Sequence, residues 1–211
     1  MVYNMVNIME KEIFKVKPII LYPKCILEHG KQLDCHECSD KEECSLYQPR
    51  SMCIRPYKGH PHGCPNFGKL PTCPPNNPCM YDEIFDVSDV YAVVTAYNLY
   101  DHYEKMRKNN PGLAEGQIRN KMYWQHTDMK NNDIAIAEFY RENPQLNDYV
   151  STRFLECMGV QVIDTMKEVG IDIAFPVKEY TYRVAFLTRV YEDVLQKYGY
   201  EIYEEKSGVK K

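Results

Sequence analysis

The sequence predicts an α/β protein, with α+β as the alternative: a small mixed sheet with helices, joined to a loop-rich, cysteine-rich lobe. Three observations carry this expectation. The chain has 211 residues, of which 44% are hydrophobic and 12% aromatic, with eighteen tyrosines. That is one domain's worth of core and excludes wholesale disorder. From Tyr81 onward, short β-branched runs alternate with segments of helical period. Eight of the nine cysteines and eight of the thirteen prolines fall between Cys25 and Met80. Proline fixes its backbone angle and lacks an amide donor, so long helices and central strands are excluded there. The expected organisation is a lead-in strand and cysteine-rich lobe over residues 1–80, an α/β body over 81–200 and a frayed tail over 201–211.

The elements follow in order. Ile13-Phe-Lys-Val-Lys17 alternates apolar and polar before Pro18, which predicts a short strand. Val87–Tyr97 centres on a β-branched and aromatic run and predicts a buried strand. Tyr100–Asn109 predicts a helix stopped by Pro111-Gly112. Residues 113–142 predict one long helix or two, with Leu113, Ile118, Met122, Ile134, Ala137 and Phe139 facing inward, ended by Pro144. Tyr149–Leu155 predicts a strand, and Met158–Val169 a helix closed by Gly170. Thr181–Leu187 predicts another strand and Val190–Tyr198 a short amphipathic helix.

Composition also narrows the function classes. The net charge is −4 and the pI about 5.9, so bulk charge favours neither nucleic acid nor an anionic membrane. No apolar run approaches the ~20 residues needed to span a bilayer. The first ten residues lack a basic stretch followed by an apolar one, so no secretory signal is expected. The expected compartment is the reducing cytoplasm, where clustered thiols bind metal or do redox chemistry rather than forming stable disulfides.

The cysteines form two groups. The first is Cys25-x9-Cys35-x2-Cys38-x5-Cys44. A Cys-x2-Cys pair presents two thiolates to one ion from a tight turn, and Cys25 and Cys44 can complete a tetrahedral zinc site or hold a second cluster, with His29 and His36 as spare donors. The other reading is a solvated acidic loop with free thiols, since Glu28–Glu43 carries six acids against two bases. The second group is Cys53, Cys64, Cys73 and Cys79. Between Ser45 and Tyr81 there is no Asp or Glu, while Arg50, Arg55, Lys58 and Lys69 are basic. An acid-free loop rich in backbone amides suits the negative charge of a thiolate-bound [4Fe–4S] cluster. Cys53, Cys64 and Cys73 need a fourth thiolate, and Cys157 is the expected donor, placed at the start of a helix whose amides favour thiolate. Cys79 is then the spare thiol. The plain alternative for Cys157 is a buried core cysteine.

The run Cys53…Gly-Cys64-Pro-Asn-Phe-Gly…Thr-Cys73-Pro-Pro-Asn resembles the core of an uncharacterised family of predicted metal-binding, Cys-rich proteins, a domain of unknown function. Tyr81-Asp-Glu-Ile-Phe85, Val90–Val94 and Glu156-Cys157-Met-Gly-Val160 are similar to its later segments. The resemblance spans about residues 50–190 and implies metal or iron–sulfur binding without a settled reaction. Family members often carry more than one cysteine near the C-terminus, where this chain has Cys157 alone. The Cys25–Cys44 group lies outside the resemblance.

His60-Pro-His62, between Cys53 and Cys64, reads as two exposed loop histidines, with ligation or proton shuttling as the alternative. Trp124, with Arg119, Lys121 and His126, reads as a core aromatic, with a substrate- or base-stacking surface as the alternative. No phosphate-cradling glycine loop, nucleophile elbow or His-Glu-x-x-His helix is present. The expected function is a cytoplasmic iron–sulfur protein acting in a redox or sulfur-chemistry role on a small molecule, as an oxidoreductase or desulfurating enzyme. The alternative is a zinc-stabilised binding module contacting nucleic acid or a protein.

Overall fold

A computed structural model describes residues 11–22, 56, 60–65, 67–69, 80–120, 123–173 and 179–194, the side chains of 116, 119, 120 and 123–125 excepted. Most of the cysteine-rich lobe, the tail, and the end of the helix expected over Val190–Tyr198 lie outside these residues. Strands β1 (Lys11–Val16), β2 (Val90–Asn98), β3 (Val150–Thr152) and β4 (Tyr180–Thr188) form one sheet in the order β1-β2-β4-β3. Helices α1 (Tyr81–Ile84), α2 (Leu99–Asn109), α3 (Glu115–Asn120), α4 (Tyr123–Glu142) and α5 (Val162–Lys167) complete the described elements, with short 3-10 turns at Pro144–Leu146 and Glu156–Met158.

Helices and strands share one body, as the sequence predicts, and all three strand pairings are antiparallel. The pairing runs Lys11↔Thr95 to Val16↔Val90 on one side of β2, and Tyr91↔Leu187 to Asn98↔Tyr180 on the other. The lead-in strand thus belongs to the body's own sheet.

Both faces of that sheet are covered. Val90, Ala92 and Val94 of β2 join Phe186, Tyr81, Ile84, Phe85, Val160 and Met166 on one face, packed by α1 and α5. Val93 joins Ala185, Leu187, Ala135, Ile136 and Phe139 on the other, packed by α4. Side chains alternate along a strand, so a strand covered on both sides reads as a continuous apolar run. This is why Val-Tyr-Ala-Val-Val lacks a polar phase.

α2 is capped by Asn98, whose Oδ1 accepts from the Asp101 amide at 3.0 Å, and it ends before Pro111. The span 113–142 holds two helices. The inward face of α4 differs from the expected one. Ile134 is 42% exposed and Ala137 is exposed, whereas Asp128, Asn132, Ala135, Ile136 and Phe139 point in. These positions recur at helical spacing, but the stripe begins with two polar residues, so apolar periodicity alone selects the wrong neighbours. Ile118 is buried as expected.

The β3–α5 stretch also departs from the expectation. The strand is shorter than Tyr149–Leu155. The helix begins at Val162, not Met158, because Gly159 takes a left-handed conformation (φ 82°) and breaks the chain between Cys157 and α5. Gly170, also left-handed, follows the end of α5 as expected.

Gly159 is the point of closest approach. A Cβ there would fall inside van der Waals contact of the Met80 methyl and 2.9 Å from the Leu21 carbonyl oxygen. Leu21 N–H donates to the Gly159 carbonyl at 2.8 Å, Gln161 N–H to the Ile19 carbonyl at 2.8 Å, and Ile20 bridges Val160. Met80 is fully buried, and its amide donates to Glu83 Oε2 at 2.7 Å. Tyr22 OH donates to Asp82 Oδ1 at 2.6 Å. Gly170 offers a control, because nothing lies within 4 Å of its missing Cβ. Gly170→Ala should cost only the left-handed penalty of roughly 1–2 kcal/mol. Gly159→Ala should cost that plus about 1–3 kcal/mol of overpacking. Denaturant unfolding of the two variants, compared with the parent protein, measures the difference.

Candidate functional site

Two places in the structure gather chemistry. The first is the cysteine region. Of the nine cysteines, Cys64 and Cys157 are among the described residues. Cys53, Cys73, Cys79 and the whole Cys25, Cys35, Cys38, Cys44 group lie outside them. Cys64 is half-buried between two tight turns, in which Gly63 N–H donates to the His60 carbonyl and Phe67 N–H to the Cys64 carbonyl, both at 3.1 Å. Gly63 and Gly68 supply the left-handed backbone (φ 83° and 69°) that such reversals need. His62 is exposed, as expected of a loop histidine, and His60 is half-buried.

Cys157 sits in the 3-10 turn Glu156–Met158, half-buried against the α1/α5 core. Its Sγ lies 2.9 Å from the Phe154 carbonyl oxygen, to which the thiol donates. The helix-start rationale for this residue therefore fails, since the sulfur faces a carbonyl and α5 begins at Val162. A thiolate there would be repelled by that oxygen, so ligating a metal requires the side chain to turn away from Phe154. Among the described residues no three His, Cys, Asp or Glu side chains are grouped to hold a metal ion. No helix among them is long and apolar enough to cross a membrane.

The second place lies between α4 and the sheet, on the face opposite Cys157. There the apolar layer of Val93, Ala185, Leu187, Ala135 and Phe139 gives way to Thr95, Tyr97 and Arg183 from the sheet and Asp128 and Asn132 from α4. Asp128 is 1% exposed, Asn132 and Thr95 are fully buried, and Tyr97 is 6% exposed. Arg183 aims both Nε and Nη2 at the same carboxylate oxygen, Asp128 Oδ2, each at 2.8 Å. The Asn132 amide Nδ2 faces three acceptors, Thr95 Oγ1 at 3.3 Å, the Val93 carbonyl at 3.4 Å and the Arg183 carbonyl at 3.5 Å. Tyr97 OH and His102 Nδ1 share a hydrogen bond of 3.1 Å. Arg153, paired with Asp133, lies near enough to act on Asp128 electrostatically.

Burial pushes the Asp128 carboxyl above the ordinary carboxylate range, while Arg183 and Arg153 pull it back. Burial, then Lys105, holds His102 below the usual imidazole range. Burial and the Asp128 charge raise the Tyr97 phenol. The sequence reading did not select these residues. Their signal was Asp128 and Asn132 four apart, in phase with Ala135 and Phe139 on one helix face.

Of the other residues weighed from the sequence, His126 is exposed. The side chains of Arg119 and Trp124, and Lys121 altogether, lie outside the described residues. No family model, curated protein or solved structure matches the chain.

Removing one partner of a buried ion pair strands the other charge. Arg183→Met should therefore destabilise the protein by about 3–5 kcal/mol, and Asp128→Leu with Arg183→Met should recover most of that loss. A double-mutant cycle in urea checks this.

The folded state holds the Asp128 proton more tightly than the unfolded chain does. This residue's contribution to stability thus rises as pH falls through its raised folded value toward the ordinary ~3.9. The parent protein should accordingly gain stability relative to Asp128→Asn on acidification across that window. Parallel melts of the two proteins at stepped pH give the comparison.

Proposed function

We propose that the protein is an iron–sulfur protein in which Cys53, Cys64, Cys73 and Cys157 hold a [4Fe–4S] cluster. On this reading the Cys25, Cys35, Cys38, Cys44 group binds a structural zinc or a second cluster. The family resemblance at Cys64-Pro-Asn-Phe-Gly and Cys73-Pro-Pro points the same way. The observation that supports the reading most is the clasp at Gly159. Leu21 and Met80, which flank the cysteine-bearing segment in sequence, both meet Gly159, two residues beyond Cys157. The one cysteine distant in sequence thus stands where the chain enters and leaves the cysteine-rich segment.

A cluster held by these four thiolates would supply one-electron redox chemistry. The chain's part is to supply thiolates, an acid-free loop carrying Arg55, Lys58 and Lys69, and a rigid body behind Cys157. The reaction class would be reduction or desulfuration of a small molecule in the cytoplasm.

Protein purified without oxygen should be brown and carry iron with acid-labile sulfide, and Cys157→Ala should lower the iron content or change the EPR signal of the reduced protein. Cys79→Ala, the spare thiol, should leave both unchanged. A colourless protein binding only zinc would overturn the cluster and favour a zinc-stabilised module whose basic loop contacts nucleic acid or a protein.

A further inference from the structure

α2 is anchored at one end. Of its residues only the first, Leu99, is buried. The Leu99 and Tyr100 amides both donate to the Glu179 carbonyl, at 2.7 and 3.3 Å, just ahead of β4. Beyond that point, a hydrogen bond of 3.1 Å between Tyr97 OH and His102 Nδ1 ties the helix to β2, with the two rings 5.9 Å apart. The far end leans on α3 through an exposed pair, Arg107 with Glu115 at 2.6 Å. An element with so little buried surface opens locally, at a lower cost than global unfolding.

The surroundings of His102 favour a neutral ring. Its Nε2 is buried, and no described residue bonds to it. Lys105 follows three residues along α2, and Tyr103 stands edge-on to the imidazole. The nearby carboxylates are engaged elsewhere. Asp101 bonds the Asn98 cap, and Glu104 and Glu115 pair with Arg107. From α4, Asp128 pairs with Arg183 of β4 and acts on Tyr97, while His126 is exposed. From the β4 side, Glu179 and Tyr180 have exposed side chains. An imidazolium would therefore sit beside a lysine, in the first turn of a helix whose dipole disfavours a cation. Its Nε2–H would also leave water without gaining a protein acceptor.

We propose that His102 makes α2 an acid-released helix: the neutral imidazole docks α2 on Tyr97, and protonation of the ring detaches the helix from the sheet while the rest of the body stays folded. The device is independent of whether the cysteines bind metal.

The sign follows from where the proton is held. Burial, then Lys105, keeps the docked imidazole below its usual range, whereas release returns the ring to water. The released state binds the proton more tightly, so acid favours it. Opening should be constant above the ordinary imidazole value of ~6.5 and should rise as pH falls through it toward the lower docked value. One group changes such an equilibrium by at most about tenfold per pH unit. Asp128 acts in the opposite sense, because its raised carboxyl makes acid stabilising.

Hydrogen exchange of the full chain, followed by mass spectrometry from about pH 8 to about 5.5 and corrected for the intrinsic rate at each pH, tests this. Peptides covering α2 should lose protection several-fold below about pH 6.5, and peptides from β2 should not. His102→Asn, which keeps a polar atom toward Tyr97 but does not titrate, should make α2 protection independent of pH, whatever its absolute level. If that variant does not fold, Lys105→Gln at an exposed site serves instead. Without the cation the acid-dependent loss should shrink, and an undiminished loss counts against the proposal. The proposal is overturned if α2 protection in the parent protein is flat across the range, or if its pH dependence survives in His102→Asn.

Discussion

β2 is covered on both faces over its central residues Ala92–Thr95, and the rest of the body follows from that constraint. Its even positions need the α1/α5 layer and its odd positions need α4, while β1 and β4 must satisfy its backbone on both edges. An antiparallel sheet usually leaves one face solvated. Here the order β1-β2-β4-β3 puts the longest, most apolar strands inside and the six-residue β1 and three-residue β3 at the edges. Short edges expose little unpaired backbone, which limits edge-to-edge association.

The edges are held by side chains as well. Asp89, just before β2, accepts from the Tyr149 hydroxyl, pairs with Lys15 of β1 at 2.8 Å and lies 3.8 Å from Arg189, just after β4. Arg189 in turn sits over the Tyr149 ring, 4.6 Å from its centroid, and pairs with Asp148. One carboxylate thereby ties together four chain segments at the end of the sheet. These partners hold the Asp89 carboxyl below the ordinary range, the Lys15 hydrogen bond first.

The strands were the most legible part of the sequence, because β-branched runs such as Val90–Val94 and Thr181–Leu187 have no helical reading once both faces are buried. α4 was legible as a helix but not in phase. Asp128 and Asn132 occupy inward positions that an apolar count assigns to solvent, so the polar half of the interface stayed hidden with them. Periodicity places a helix start at Cys157, where the structure has a turn, since it carries no sign of the left-handed Gly159. The cysteine pattern was the clearest signal in the chain, yet Cys53, Cys73 and the Cys25–Cys44 group lie outside the described residues. The proposed metal centre therefore rests on cysteine spacing and local charge.

The clasp at Gly159 also makes the cysteine-rich segment a cassette. The Leu21 carbonyl and the Met80 side chain pack on the same glycine, so the body anchors both flanks of residues 23–79 at one point. In the unfolded chain, bringing together two points that far apart in sequence costs about 3–4 kcal/mol of chain entropy by the logarithmic law. Because β1, β2 and the Ile20–Val160 bridge meet that cost from outside the segment, its sequence can change in length or content without altering the register of the sheet. A body built this way accepts a different insert much as a loop tip accepts a new domain.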